Sequence, residues 1–286
     1  MAHWPQGDVP RLVSYLWQRP TRGAFIAFCA WLAGTLPAIA CEQPPWRGVA
    51  MDGSLTVLDA PQPSSGPVAA WYEDPTTRYA HGVLGDAIEA GTLAVQLSDF
   101  PNCQVGRITL PDIEVFEDIA PRLADLDGDG TAEIVVVQSH ARLGARLVIY
   151  GLSTNRTGLE QRAATPNIGR SNRWLAPVGA ADFDGDGAIE IAYIDRPHLA
   201  RTLRIWRYES GTLTEIAALE GLTNHRIGEP FITGGVRDCG NGPEIITANT
   251  AWQRVMETRL DVGRAVTQSI APFSQANVAA ALSCTL

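Results

Sequence analysis

Two nine-residue strings in this chain, DLDGDGTAE at 125–133 and DFDGDGAIE at 182–190, are near copies, and each runs straight into an apolar stretch. A longer unit surrounds them. TTRYAHGVLGDAIEAGTLAVQL from Thr76 and SNRWLAPVGAADFDGDGAIEIAYI from Ser171 both give a polar pair, an Arg, an aromatic, a short apolar strand, an acidic turn and a second strand. EDIAPRLADLDGDGTAEIVVV from Glu117 keeps the strand, turn and strand, while TNHRIGEPFITGGVRDCGNGPEIITA from Thr223 keeps the opening and the ending around a decayed turn. A chain that writes one unit four times must stack the copies, because no single copy can bury its own faces.

The period identifies the unit. The closing acids Glu89, Glu133, Glu190 and Glu244 lie 44, 57 and 54 residues apart, the length of a four-stranded propeller blade and longer than most helical repeats. Each acidic turn leads into a β-rich run such as EIVVVQ or EIAYID, then into a hairpin such as TLRIWRYESGTLTEIAAL with a turn at Ser210-Gly211. Runs that are apolar at successive positions bury both strand faces, as blades packed face to face require. Abundant Gly (27) and Pro (19) suit many short strands. The expected fold is therefore all-β, a β-propeller of four-stranded blades.

At this repeat length residues 41–286 hold four to five blades. QANVAAALSC at the C-terminus reads as a blade's first strand, compare PVGAADFD, and RGVAMDGSLTVLDA reads as a hairpin lacking one. Joined, they would make a fifth blade and leave no open edge. Cys41 paired with Cys284 is the expected latch across that closure, with Cys239–Cys284 as the alternative.

The N-terminus carries Arg11, Arg19 and Arg22 before GAFIAFCAWLAGTLPAIA. This is the pattern of a secretory signal over 1–40, with an A-x-A cleavage site before Cys41. An uncleaved anchor and lipoprotein cleavage at Cys41 are the competing readings. The expected location is periplasmic or secreted, with no membrane span in the mature chain. A formal charge of −9, with every one of the 22 basic residues an Arg, argues against a nucleic-acid partner.

The aspartates answer to metal chemistry. Carboxylates at positions 1, 3 and 5 converge when the backbone coils, Gly at position 6 permits the turn, a carbonyl at 7 joins them and an acid at 9 completes an oxygen cage for Ca²⁺. The expected ligands are Asp125, Asp127, Asp129, the Thr131 carbonyl and Glu133 in one loop, and Asp182, Asp184, Asp186, the Ala188 carbonyl and Glu190 in the other. An EF-hand would place a Glu at position 12, where Val136 and Tyr193 stand instead. The competing reading is a pair of Asx turns that bind nothing.

With these residues in view, ADLDGDGTAEIVVV and AADFDGDGAIEIAYI resemble the FG-GAP or VCBS repeats of integrin α chains and secreted bacterial proteins. The resemblance implies a propeller whose calcium loops join the first and second strands of a blade. Only two loops are complete: the first copy keeps Asp86 alone, and the last has Gly240 and Asn241 where carboxylates are needed. Two calcium sites are therefore expected, with a structural role.

No nucleophile elbow, zinc-protease helix or phosphate loop is present. The best binding constellation is the repeated opening, with Arg78, Arg173 and Arg226 beside Tyr79, Trp174 and Ile227. At a channel rim such residues would clamp an anionic glycan or a peptide by bidentate bonds and stacking; the competing reading ties each Arg to a neighbouring blade. His81, His140, His198 and His225 lie near these segments, and Asp195 with Arg196 and His198 is the most catalytic-looking cluster. The chain thus reads as a non-catalytic module that binds a ligand or protein. The alternatives are a polysaccharide hydrolase or lyase with its site at the channel, and an envelope assembly module.

Overall fold

The computed structural model describes residues 57–58, 66–97, 105–155, 158–261 and 264–286. The chain divides into residues 1–40 and Cys41–Leu286, and everything described lies in the second part. The signal segment, Cys41, Cys103 and most of the 47–60 hairpin fall outside the described residues.

The described residues are strands with one helix. After β1 (Val57–Leu58), a first unit A holds β2 (Pro67–Thr76), β3 (Glu89–Leu97) and β4 (Val105–Thr109). Unit B holds β5 (Glu114–Phe116), β6 (Arg122–Ala124), β7 (Glu133–His140), β8 (Gly144–Leu152) and β9 (Leu159–Ala164). Unit C holds β10 (Leu175–Ala181), β11 (Ile189–Asp195), β12 (Thr202–Glu209) and β13 (Thr212–Glu220). Unit D holds β14 (Leu222–Thr223), β15 (Gly235–Asp238), β16 (Pro243–Asn249), β17 (Arg254–Asp261) and β18 (Arg264–Pro272), followed by helix α1 (Gln275–Leu282). Within each unit the strands pair antiparallel, mostly with the next in sequence; β5 and β6 both pair with β7, and β14 and β15 both pair with β16. Short β5 bridges β3 and β7, so units A and B share one sheet.

The apolar runs explain the stacking. In β7, Ile134 and Val136 join the cluster shared with unit A, while Val135 and Val137 join the one shared with unit C. In β11, Ile191 and Tyr193 face unit B, and Ala192 and Ile194 face unit D. Successive side chains on a strand point to opposite faces, so a continuous apolar run gives each neighbour its own surface. The outer strands β9, β13 and β18 are the exposed ones. The expected hairpin turn at Ser210-Gly211 is present, closed by the Glu209–Thr212 pair.

The chain ends overturn two expectations. QANVAAAL is helix α1, not a strand: Ser274 caps it by accepting from the Asn277 N–H at 3.0 Å, and Ala-rich sequence favours helix once a cap is supplied. Val278 and Ala281 pack on Ile246, Val255 and Ala271, so the helix covers the face of unit D turned away from unit C. The cysteine bond is Cys239–Cys284, with Cα atoms 5.6 Å apart, which replaces the Cys41–Cys284 latch. Leu58 and Val57 pair in parallel with Ala181 and Ala180 of β10 rather than with the C-terminus. The described residues therefore form four blade-like units; the fifth blade expected from shared terminal strands is absent among them.

Candidate functional site

The acidic loops join β6 to β7 in unit B and β10 to β11 in unit C, each leading into the strand that packs on both neighbouring units. Both fold the same way. Asp125 accepts from the N–H groups of Gly128 and Gly130, each at 2.9 Å; Asp182 accepts from Gly185 at 2.8 Å and Gly187 at 2.9 Å. Glu133 reaches back to the Leu126 N–H and Glu190 to the Phe183 N–H, both at 2.9 Å. The glycines sit at φ of 74° and 83° in one loop and 76° and 92° in the other, a left-handed backbone that side chains resist. Pinned in this way, Asp125, Asp127 and Glu133 bring carboxylate oxygens within 4.8 Å of one another, as do Asp182, Asp184 and Glu190.

These six form the cages, while Asp129 and Asp186 stand outside the close groupings. Their carboxylates accept from Thr131 N at 2.7 Å and Ala188 N at 2.9 Å. Hard oxygen donors of this kind can hold a divalent cation such as Ca²⁺, and the buried Asp184 Oδ1 has no hydrogen-bond partner. Burial, then the neighbouring aspartates, push Glu133 up to about 8 against the Leu126 N–H. Burial likewise raises Glu190 to about 7, opposed by the Phe183 N–H and Arg207. The two loops face one cavity of about 650 Å³, lined by Asp127, Asp129, Asp186, Arg207 and Tyr208.

Their countercharges differ. Opposite Glu190 on β12 lies Arg207, whose guanidinium reaches Glu190 at 2.7 Å, Asp184 at 2.8 Å and Asp186 at 2.8 Å. One step past the Ile134–Tyr150 pair, unit B has Gly151 at the matching place, and a Cβ there would meet Arg162 Nε at 3.0 Å. Among the described residues no guanidinium pairs with the first loop. In unit D the turn is shorter and lacks the cage, and Glu244 is held by Arg237 at 2.7 Å and by Arg259.

The repeated openings also meet, though through different atoms than the three arginines. Arg78 donates to the Glu114 carbonyl at 2.6 Å, tying unit A to the start of unit B. Arg226 lies over the Trp252 ring at 4.1 Å from its centroid. Only Arg173 of the three lines a cavity of about 330 Å³, with His81, Trp174, Arg196 and His198. Buried Tyr79 accepts from the Asn172 N–H at 2.9 Å, and the buried Trp174 indole donates to the Glu117 carbonyl at 2.8 Å. Residues from all four openings converge here, because Trp174 also meets His225 edge-on at 4.9 Å.

Two features of this cavity lie beyond the sequence motifs. Glu117, 0% exposed, holds His81 Nδ1 with one carboxylate oxygen and accepts from the Ser139 hydroxyl with the other. His225 donates through Nε2 to the Glu229 carbonyl at 2.8 Å, so its Nδ1 accepts from His198 Nε2 at 2.9 Å. Burial, then His225 and His81, lower His198 to about 4, and burial lowers His225, so both rings are neutral at pH 7. Asp195 is consumed by Arg196 at 2.8 Å and Arg204 at 3.0 Å, and His140 caps a turn by accepting from Arg142 N at 3.0 Å.

Stacked antiparallel units carrying paired acidic loops define an all-β protein with a propeller-like arrangement of strands. Residues 125–193 match the FG-GAP-like repeat, covering both complete loops. No curated protein matches the sequence. Among solved structures the chain is similar to Sqt1 of Saccharomyces cerevisiae at 9% identity and a TM-score of 0.35, over 67% of this chain and 45% of that one. The chain thus spans less than half the length of the yeast protein. Among the described residues no helix is long and apolar enough to cross a membrane.

Proposed function

We propose that the chain is an exported, calcium-stabilised β-propeller that binds an anionic ligand, a carboxylated sugar or a peptide, without acting on it chemically. The observation that carries this reading is the cavity of about 330 Å³ where Arg173 and Arg196 stand beside Trp174. Arg196 is engaged by Asp195, whereas among the described residues the Arg173 guanidinium has only the Asn172 carbonyl, at 2.6 Å, as its hydrogen-bond partner. A planar guanidinium beside an aromatic wall suits a carboxylate carried on a flat or ring-shaped ligand. The metal reading is supported by the all-oxygen cages and the orphaned Asp184 Oδ1.

Titration calorimetry with uronic-acid oligosaccharides and acidic peptides, in calcium, tests the binding reading. Arg173→Ala is expected to weaken binding about tenfold or more, equivalent to about 1.4 kcal/mol, without changing thermal stability. Equal binding by the variant, or none by the wild type, contradicts it. The same preparation, isolated from its native cells, should begin at Cys41 on N-terminal sequencing; a retained residue 1–40 segment overturns cleavage.

The His81–Glu117 contact favours a second reading, acid–base action on an acidic polysaccharide in the same cavity. New reducing or unsaturated chain ends that disappear with His81→Gln would select it over pure binding.

A further inference from the structure

The two acidic loops share sequence, backbone fold and a cavity, yet their charge differs. Each carries three aspartates and a glutamate. In the second loop Arg207 sits within 2.8 Å of three of these four carboxylates. In the first the matching place is Gly151, which carries no side chain and lies against Arg162, and among the described residues Asp127 receives a single 3.3 Å contact, from Asp129 N. Calcium affinity in oxygen cages follows the charge and number of free ligands, and a fixed guanidinium both repels the metal and occupies its donors.

Resting on the calcium reading above, we infer that the loops are a graded pair. Loop 125–133 takes calcium tightly, and loop 182–190 shares its carboxylates with Arg207, a tethered cation that weakens the metal about tenfold or more. The second loop keeps a place for the metal: Asp184 Oδ1, buried and without a partner, is the oxygen that Arg207 leaves unused. Unit D marks the end of the series, where Arg237 and Arg259 hold Glu244 and no cage remains. External metal, metal shared with a guanidinium, and guanidinium alone thus follow one another along units B, C and D. In consequence the protein has a one-metal state at low calcium and a two-metal state at higher calcium. Filling the second loop loosens Arg207 at the edge of the cavity between the loops.

Equilibrium dialysis of the full chain with radioactive calcium reads both sites directly. The wild type should bind in two phases at least about tenfold apart. Asp127→Asn should remove the tight phase and Asp184→Asn the weak one, an assignment that leaves Arg207 untouched. Arg207→Gln should tighten the weak phase until the two merge. Two equal sites in the wild type, a reversed assignment, or an Arg207→Gln protein that is folded by circular dichroism yet unchanged in its weak phase each overturn the inference while leaving calcium binding intact. No bound calcium in wild type or Arg207→Gln instead removes the calcium reading itself.

Discussion

Glu89, Glu133, Glu190 and Glu244 occupy the same place in units A to D, and each is at most 6% exposed. A buried carboxylate must be neutralised by a partner, a metal or a proton. Units C and D supply arginine, and unit B supplies a cage. Among the described residues Glu89 has neither: burial, then Glu117, Asp86 and Asp118, push it up to about 9. The fold therefore keeps a proton that the unfolded chain releases near the usual carboxylate range, around pH 4.5. Stability that is fully present below that range is lost as pH rises toward about 9. In saturating calcium, urea unfolding should show the wild type losing about 2–3 kcal/mol between pH 5 and pH 8, a slope that Glu89→Gln flattens. Identical slopes in the two proteins contradict the assignment. The recurrence of these glutamates was legible from their spacing alone. Their partners were not, because Arg207, Arg237 and Arg259 come from a cross-strand or neighbouring position that a linear motif does not display.

The elements divide in the same manner. EIVVVQ and IEIAYID declare themselves as strands buried on both faces, and β7 and β11 are. QANVAAAL resembles PVGAADFD in composition, and small residues carry little periodicity, so similarity alone suggests a strand where the cap at Ser274 sets a helix. The Cys239–Cys284 bond then fastens the end of α1 to the β15–β16 turn, and Arg237 donates to the Ala281 carbonyl at 2.8 Å beside it. Replacing both cysteines by serine should cost about 2–4 kcal/mol. Amide exchange should rise first in α1 and the β15–β16 turn, with β7 and β11 still protected. Loss of protection that begins in units B and C would place the staple's role elsewhere.

At the scale of the molecule, the four units among the described residues share their faces in sequence, A with B, B with C and C with D, and α1 covers the last face. Such an array is as stable as its junctions, and the acidic loops are junctions: each fixes the entry of a strand whose two faces serve two neighbours. The convergence of the four openings on one cavity follows from this stacking, which is why His81, Trp174 and His225, far apart in the chain, meet there. Metal bound at a loop is linked to the whole fold, since calcium that binds only the folded chain stabilises it by mass action. The direct measurement is thermal unfolding of the full chain in calcium and in chelator, beside an Asp127→Ala, Asp184→Ala variant. Saturating calcium should raise the wild-type Tm by about 5–10 °C over the chelated protein and leave the double variant unmoved; a wild-type Tm indifferent to calcium would contradict the account.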